Sequence, residues 1–129
     1  MINSTSFDYV NLLTKAADAS WKRESVIANN ISNVNTPGYK RKDLNFEGVL
    51  TEELGRCKHQ SLDSKVSSLD MSKLNPTVYT DSSNYSYRMD GNNVDIDTEN
   101  VELASEQIKY EGLTSSINSQ FERMKSVIS

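Results

Sequence analysis

Cys57 and His59 stand two residues apart in "GRCKHQ" and are the chain's only cysteine and only histidine. A thiolate and an imidazole are what metal sites and cysteine nucleophiles use. A metal centre needs three or four such ligands, and no others of that type follow nearby. A nucleophilic pair must be held in hydrogen-bonding geometry by rigid surroundings, which the polar, serine-rich stretch around Cys57 does not suggest. The tract "DGNNVDIDTE" from Asp90 is dense in carboxylates and amides, as a calcium loop would be. An EF-hand loop places ligands at positions 1, 3 and 5 and glycine at 6. Counting from Asp90, those last two places hold Val94 and Asp95, so the tract reads as a turn entering a helix. Asp95 and Asp97 could form an acid–base pair, but no histidine, further acid or aromatic wall accompanies them.

Lys40-Arg41-Lys42 is the one dense basic cluster. Against 14 basic and 18 acidic residues and a net charge of −4, it reads as a solvated segment following a turn rather than a nucleic-acid contact. Glycine-rich dinucleotide, phosphate-loop and serine-elbow motifs are absent from the sequence. The residues therefore argue for no enzyme, no cofactor, no metal, no small-molecule substrate and no nucleic-acid partner.

What remains is architecture. The 129 residues fit one domain. Apolar residues make up 36% and aromatics 8%, lean beside the roughly 45–50% apolar usage, glycine included, of typical globular chains. A small core is expected, with partners supplying further burial. One cysteine forbids an intramolecular disulfide. Val26-Ile27-Ala28 is the longest apolar run, far short of the roughly 20 residues that span a bilayer. The opening "MINSTSFDYVNLLTK" carries no positive charge before Lys15 and no apolar stretch, so no secretory signal peptide is expected there.

Residues 8–34 read as a helix. The heptad line Val10, Leu13, Ala17, Ser20, Glu24, Ile27, Ile31, Val34 has six apolar members of eight, where composition alone predicts about three. Leu12, Ala16, Ala19 and Val26 widen that line, as a bundle helix requires. Pro37 drives Thr36 out of helical geometry and ends the helix. Thr36-Pro37-Gly38-Tyr39 suits a type II turn, with glycine at the position needing positive φ, and Asn33 and Asn35 suit a fraying end. A second helix is expected from 98 to about 127, N-capped by Asp97 or Thr98, with Glu99 and Glu102 favourably placed on its dipole. Its line is Leu103, Glu106, Tyr110, Leu113, Ile117, Gln120, Met124, Val127.

Between the helices the composition turns polar. "SLDSKVSSLDMSKLNPT" shows no helical period, and residues 56–75 read as ordering only on binding. Tyr85, Tyr87 and Met89 alternate with polar residues after a turn at Asp81-Ser82-Ser83-Asn84, which predicts a β-hairpin. The expected fold is mainly α: long amphipathic helices at the two ends, packed together in a bundle or coiled-coil-like axial domain, with a turn-rich middle containing a small β element. Its parts are 1–42, helix and turn; 43–97, polar middle; and 98–129, second helix.

"VIANNISNVNTPGYKRKDLNF" strongly resembles the N-terminal signature of the flagellar axial proteins, the rod, hook and hook-associated subunits. The match runs through Ala28, Asn29, Asn30, Ile31, Ser32, Asn33, Thr36, Pro37, Gly38, Tyr39 and Lys40. Asp90, Gly91, Asn92, Val94, Asp95 and Tyr110 are similar to the approach and C-terminal helix of the family's proximal rod member. Residues 1–50 and 88–129 carry the likeness; 51–87 do not. The resemblance implies a structural subunit of the basal body's proximal rod, the shaft that passes torque from the motor ring to the hook and is needed for motility.

It also implies its partners: further copies of the chain, other rod subunits, the motor (MS) ring with its rod adaptor, and the flagellar type III export apparatus. Passage to a periplasmic rod without a cleaved signal follows from the same likeness, as do terminal helices that order on assembly. Phe46 and Leu50 resemble the family's short export-gate motif, with a plain apolar anchor as the other reading. The alternative function is a free-standing helical interaction protein, a secretion chaperone or coiled-coil dimer, which would fold by itself as a defined oligomer.

Overall fold

The computed structural model describes residues 4–56, 61–81 and 89–128, with side chains from residue 7 onward. Helix α1 runs Ser4–Ser32 and is followed by strand β1, Lys42–Asp43. Helices α2, Phe46–Gly55, and α3, Leu62–Ser68, come next, then a 3₁₀ turn at Met71–Lys73 and strand β2, Tyr79–Thr80. Helix α4, Ile96–Ile128, completes the order. The fold is mainly α, with the long terminal helices packed on one another. Their 29 and 33 residues correspond to about 44 and 50 Å at about 1.5 Å per residue.

The inward face of each long helix follows from its heptad line. On α1, Val10, Ala17, Ser20 and Ile27 are buried and Leu13, Glu24 and Ile31 are half-buried, while Val34, also half-buried, lies in the turn beyond Ser32, where the helix ends two residues before the expected 34. On α4, Glu106 and Met124 are buried, while Leu103, Tyr110, Leu113, Ile117 and Gln120 are half-buried. Val127, in the last turn of α4, departs from its line and lies exposed.

The small β element differs from the expected one. Lys42 pairs with Thr80 and Asp43 with Tyr79, antiparallel, so the segment just after the turn is a strand partner that local alternation could not nominate. Tyr85 and Tyr87 of the expected hairpin lie outside the described residues, and Met89 is exposed. The polar middle is also more helical than its composition predicts. Asn45 caps α2 by accepting from Gly48 N at 2.9 Å, and Ser61 caps α3 by accepting from Ser64 N.

Side-chain caps of this kind hold short helices that propensity would leave open. Instead of waiting for a partner, Val66 and Leu74 are buried. Ala19, Leu44, Phe46 and Leu74 form a core cluster, with Leu12, Ala16, Val49, Leu50, Leu69 and Met71 packed around it. The widened shoulder of α1 thus meets the middle segment, while the narrower heptad line meets α4.

Helix α4 begins two residues earlier than expected, because Asp95 is the N-cap: its carboxylate accepts from Asp97 N at 3.1 Å, Thr98 N at 3.5 Å and Thr98 Oγ1 at 3.2 Å. No helix of the described residues is long and apolar enough to cross a membrane.

Candidate functional site

The two signature segments, more than fifty residues apart in sequence, dock into a single junction at the end of α1. Helix termination starts it. Asn33 N donates to Asn29 O and Asn30 O, both at 3.1 Å, and Thr36 N donates to Asn33 O at 3.0 Å. Asn33 Nδ2 adds a bond to Asn29 O at 2.8 Å, and Asn33 Oδ1 accepts from Thr36 Oγ1 at 3.1 Å. Tyr39 N then donates to Thr36 O at 3.2 Å across exposed Pro37 and Gly38, with Gly38 at φ 73°. That φ is open to glycine at little cost and closed to most side chains.

Asn92 seals the helix end. It is fully buried, and its Nδ2 donates to the carbonyls of Asn33 at 2.9 Å, Val34 at 3.1 Å and Thr36 at 2.9 Å. Its Oδ1 accepts from Val94 N at 2.8 Å. These carbonyls belong to the turn that follows α1, and a distant side chain fastens that turn. Around it, Gly38 N donates to Asp90 O at 2.7 Å and Asn93 N to Tyr39 O at 3.3 Å. Lys40 Nζ donates to Gly91 O, and Arg41 N donates to Asn93 Oδ1 at 2.7 Å. Gly91, also at positive φ (80°), brings its turn against Gly38: a Cβ there would sit 3.7 Å from Gly38 Cα.

Asn30 performs the matching task on the other side. Fully buried, it donates Nδ2 to Lys42 O at 2.8 Å and accepts Lys42 N at 2.9 Å, so one side chain pairs with a residue of β1 as a strand would. It also donates to Glu99 Oε2 at 3.2 Å and accepts from Tyr39 Oη at 3.1 Å. Asn29 stays exposed, its Nδ2 3.5 Å from Tyr39 Oη. Burial, then the charge of Glu99, raises the Tyr39 hydroxyl above its ordinary pKa.

Beside this junction runs an ionic ladder that the sequence reading missed. Arg23 donates to Asp43 Oδ1 at 2.8 Å, Glu106 Oε1 at 2.7 Å and Glu102 Oε2 at 3.0 Å. Arg41 donates to Glu99 Oε1 at 2.6 Å, Asp81 Oδ2 at 3.0 Å and Asp43 Oδ2 at 3.2 Å. Ser20 Oγ donates to Glu106 Oε2 at 2.6 Å. Burial alone would lower both arginine pKa values, but the carboxylate hydrogen bonds win and raise them. Burial likewise opposes ionisation of Asp43, yet bonds from Arg23 and Leu44 N, with the charges of both arginines, hold its carboxyl below the usual value.

Such charge-assisted, multidentate geometry is the form of ion pair that survives partial burial. One signal was available: Glu106 interrupts an apolar heptad line, and a charged residue on an inward face demands a partner.

The other residues singled out are scattered. Phe46 is buried and Leu50 half-buried at the start of α2. With Ala16, Ala19, Leu44 and Leu113 they line an apolar pocket of about 150 Å³ between α1, α2 and α4. Cys57 and His59 lie outside the described residues. Among the described residues no three His, Cys, Asp or Glu side chains are grouped to hold a metal ion.

The junction and both helices brace the two ends of the chain against each other. Comparison with known proteins agrees in kind. The family model described as flagella basal body rod protein matches residues 14–40. The flagellar basal body rod protein FlgB of Bacillus subtilis (strain 168) is 36% identical over 106 residues, covering 82% of this chain and 81% of that protein. FlgB of Proteus mirabilis (strain HI4320) is 34% identical over 83% of each chain. FlgB of Borrelia hermsii is 32% identical over 92% of this chain and 91% of its own length. With that identity carried across most of its length and the signature segments forming its central junction, the chain belongs to the FlgB family of flagellar basal body rod proteins.

Proposed function

We propose that this chain is a building subunit of the proximal rod in the bacterial flagellar basal body, a structural part and not an enzyme. The observation that carries the reading is a second set of apolar residues left open on both long helices. On α1, Phe7, Trp21 and Ala28 share one heptad position with the polar Thr14 and are exposed, Trp21 at 66%. On α4, Val101 (69%) and Ile108 (71%) are exposed among Ser105, Gly112, Ser115 and Ser119. Contiguous exposed apolar surface marks an interaction site, and two helices that already bury one face each are completed by neighbours on the other.

In this reading 1–42 and 98–129 are the axial ends, 43–97 braces them, and the neighbours are further copies and other rod subunits. Val10, Leu13, Ala17, Ile27, Ile31, Val34, Leu103, Tyr110, Leu113, Ile117 and Met124 stiffen the pair, and a stiff pair suits a shaft that carries torque from motor ring to hook. Asn29, Asn30, Asn33, Thr36, Pro37, Gly38 and Tyr39 fix where the chain leaves the inner layer. Phe46 and Leu50 are covered in the folded chain, so an export apparatus reading them would do so before folding, which fits passage to the periplasm as an extended chain. Deleting the gene and imaging basal bodies tests the proposal: ring structures lacking a rod are expected, and complete rods in the deletion strain would overturn it.

A further inference from the structure

We propose that the ionic ladder, and not the apolar stripe, sets the axial register of α4 against α1. The apolar lines repeat with the heptad: Leu13, Ala17, Ile27 and Ile31 on one helix, and Leu103, Tyr110, Leu113, Ile117 and Met124 on the other. Sliding α4 by seven residues, about 10 Å at about 1.5 Å per residue, interchanges Leu103, Tyr110, Ile117 and Met124 along one row, while Leu113 gives way to Glu106 or Gln120. Packing of that kind discriminates weakly between neighbouring registers.

The polar partners do not repeat. In the observed register Arg23 faces Glu102 and Glu106, while Asn30 and Arg41 face Glu99, one heptad away. A slip in one direction replaces Glu102 and Glu106 with Lys109 and Leu113, and Arg23 meets a like charge. The opposite slip brings Asp95 and Glu99 to Arg23 but carries Asn92 to the place of Glu99, and Asn92 precedes the first residue of α4. Arg41 then loses its shortest carboxylate bond, and the end of α1 loses its Asn92 cap.

Both arginines are themselves set by the junction. Arg41 is held through its own N–H on Asn93 Oδ1 and its carbonyl, which accepts from Asp81 N at 2.8 Å, and Asp43 of β1 joins the two guanidinium groups. A single polar residue at an otherwise apolar helix interface fixes register in coiled coils. The turn and strand after α1 therefore act as the gauge from which α4 is positioned.

The test uses the full chain with Cys57→Ser and spin labels at Asn11→Cys and Ser105→Cys, two exposed positions staggered along the pair. Pulsed dipolar distances should give one narrow population. Replacing the ladder by uncharged side chains (Arg23→Met, Arg41→Met, Asp43→Asn, Glu99→Leu, Glu106→Leu) removes it without leaving the buried Asp43 carboxylate unpaired. With helicity by circular dichroism retained, a second population displaced by up to about 10 Å is expected. A single unshifted distance in the uncharged variant overturns the proposal. Should that variant lose its helicity, Glu99→Gln with Glu106→Gln replaces it, and an unshifted single distance there overturns the proposal equally.

Discussion

Removing the Asn92 side chain is the sharpest probe of the junction. Asn92 is fully buried and its amide carries two N–H groups, shared among the carbonyls of Asn33, Val34 and Thr36, while its oxygen accepts from Val94 N. Asn92→Ala therefore removes about three hydrogen bonds that hold the turn after α1. At about 1 kcal/mol per bond the loss is about 3 kcal/mol, a large part of the 5–15 kcal/mol that typically separates folded from unfolded domains. Asn92→Asp keeps the shape and the bond from Val94 but aims a negative oxygen at three carbonyls. It should cost more than alanine at pH 7, and less once the carboxyl is protonated in acid. Urea unfolding followed by circular dichroism at 222 nm, at matched protein concentration, measures both. A loss under about 1 kcal/mol for Asn92→Ala, or an aspartate variant as stable as wild type at pH 7, would refute the capping argument.

The remaining expectations concern the same framework. Because Asp43 ionises more readily folded than unfolded, it adds stability above about pH 4 that is lost as pH falls through its lowered folded value; the deficit of Asp43→Asn against wild type in urea should shrink below pH 4. Ile27→Ala and Leu74→Ala, at fully buried sites on α1 and in the middle segment, should each cost about 2–5 kcal/mol by thermal or urea unfolding; a negligible effect at Leu74 would mean the middle does not pack on α1. Glu24 is half-buried on the α1 line, one carboxylate oxygen is buried without a hydrogen-bond partner among the described residues, and burial together with Glu106 and Glu111 raises its pKa.

Glu24→Leu should therefore stabilise by about 1 kcal/mol at pH 7, the gain fading as acid protonates the wild-type carboxyl; a destabilised variant at pH 7 contradicts this. Gly38→Val forces a β-branched residue to φ 73° at about 1–3 kcal/mol. With Pro37→Ala it should reduce rod assembly, counted in isolated basal bodies, more than export, and wild-type rod numbers would dismiss the turn's role.

The long helices, their inward lines and the stop at Pro37 were legible along the chain, because helical burial repeats within a turn or two and proline acts on its immediate neighbours. So was the family, since its signature is a contiguous string from Ala28 to Lys40. Short helices α2 and α3 were not: two or three turns hold too few apolar residues to rise above a serine-rich background, and their caps at Asn45 and Ser61 show their meaning only once the backbone closes on them. Asn30 and Asn92 read in the sequence as turn-lovers, yet each is a buried bridge: Asn30 reaches Lys42 and Glu99, 12 and 69 residues away, and Asn92 reaches carbonyls more than fifty residues away.

Local patterning could say which face of a helix turns inward, because that depends on spacing within one segment. Which carboxylate meets Arg23, which amide closes α1 and which strand Lys42 joins depend on how distant segments are placed in three dimensions. Only the folded chain, by excluding water from those groups and forcing each to find a partner, decided them.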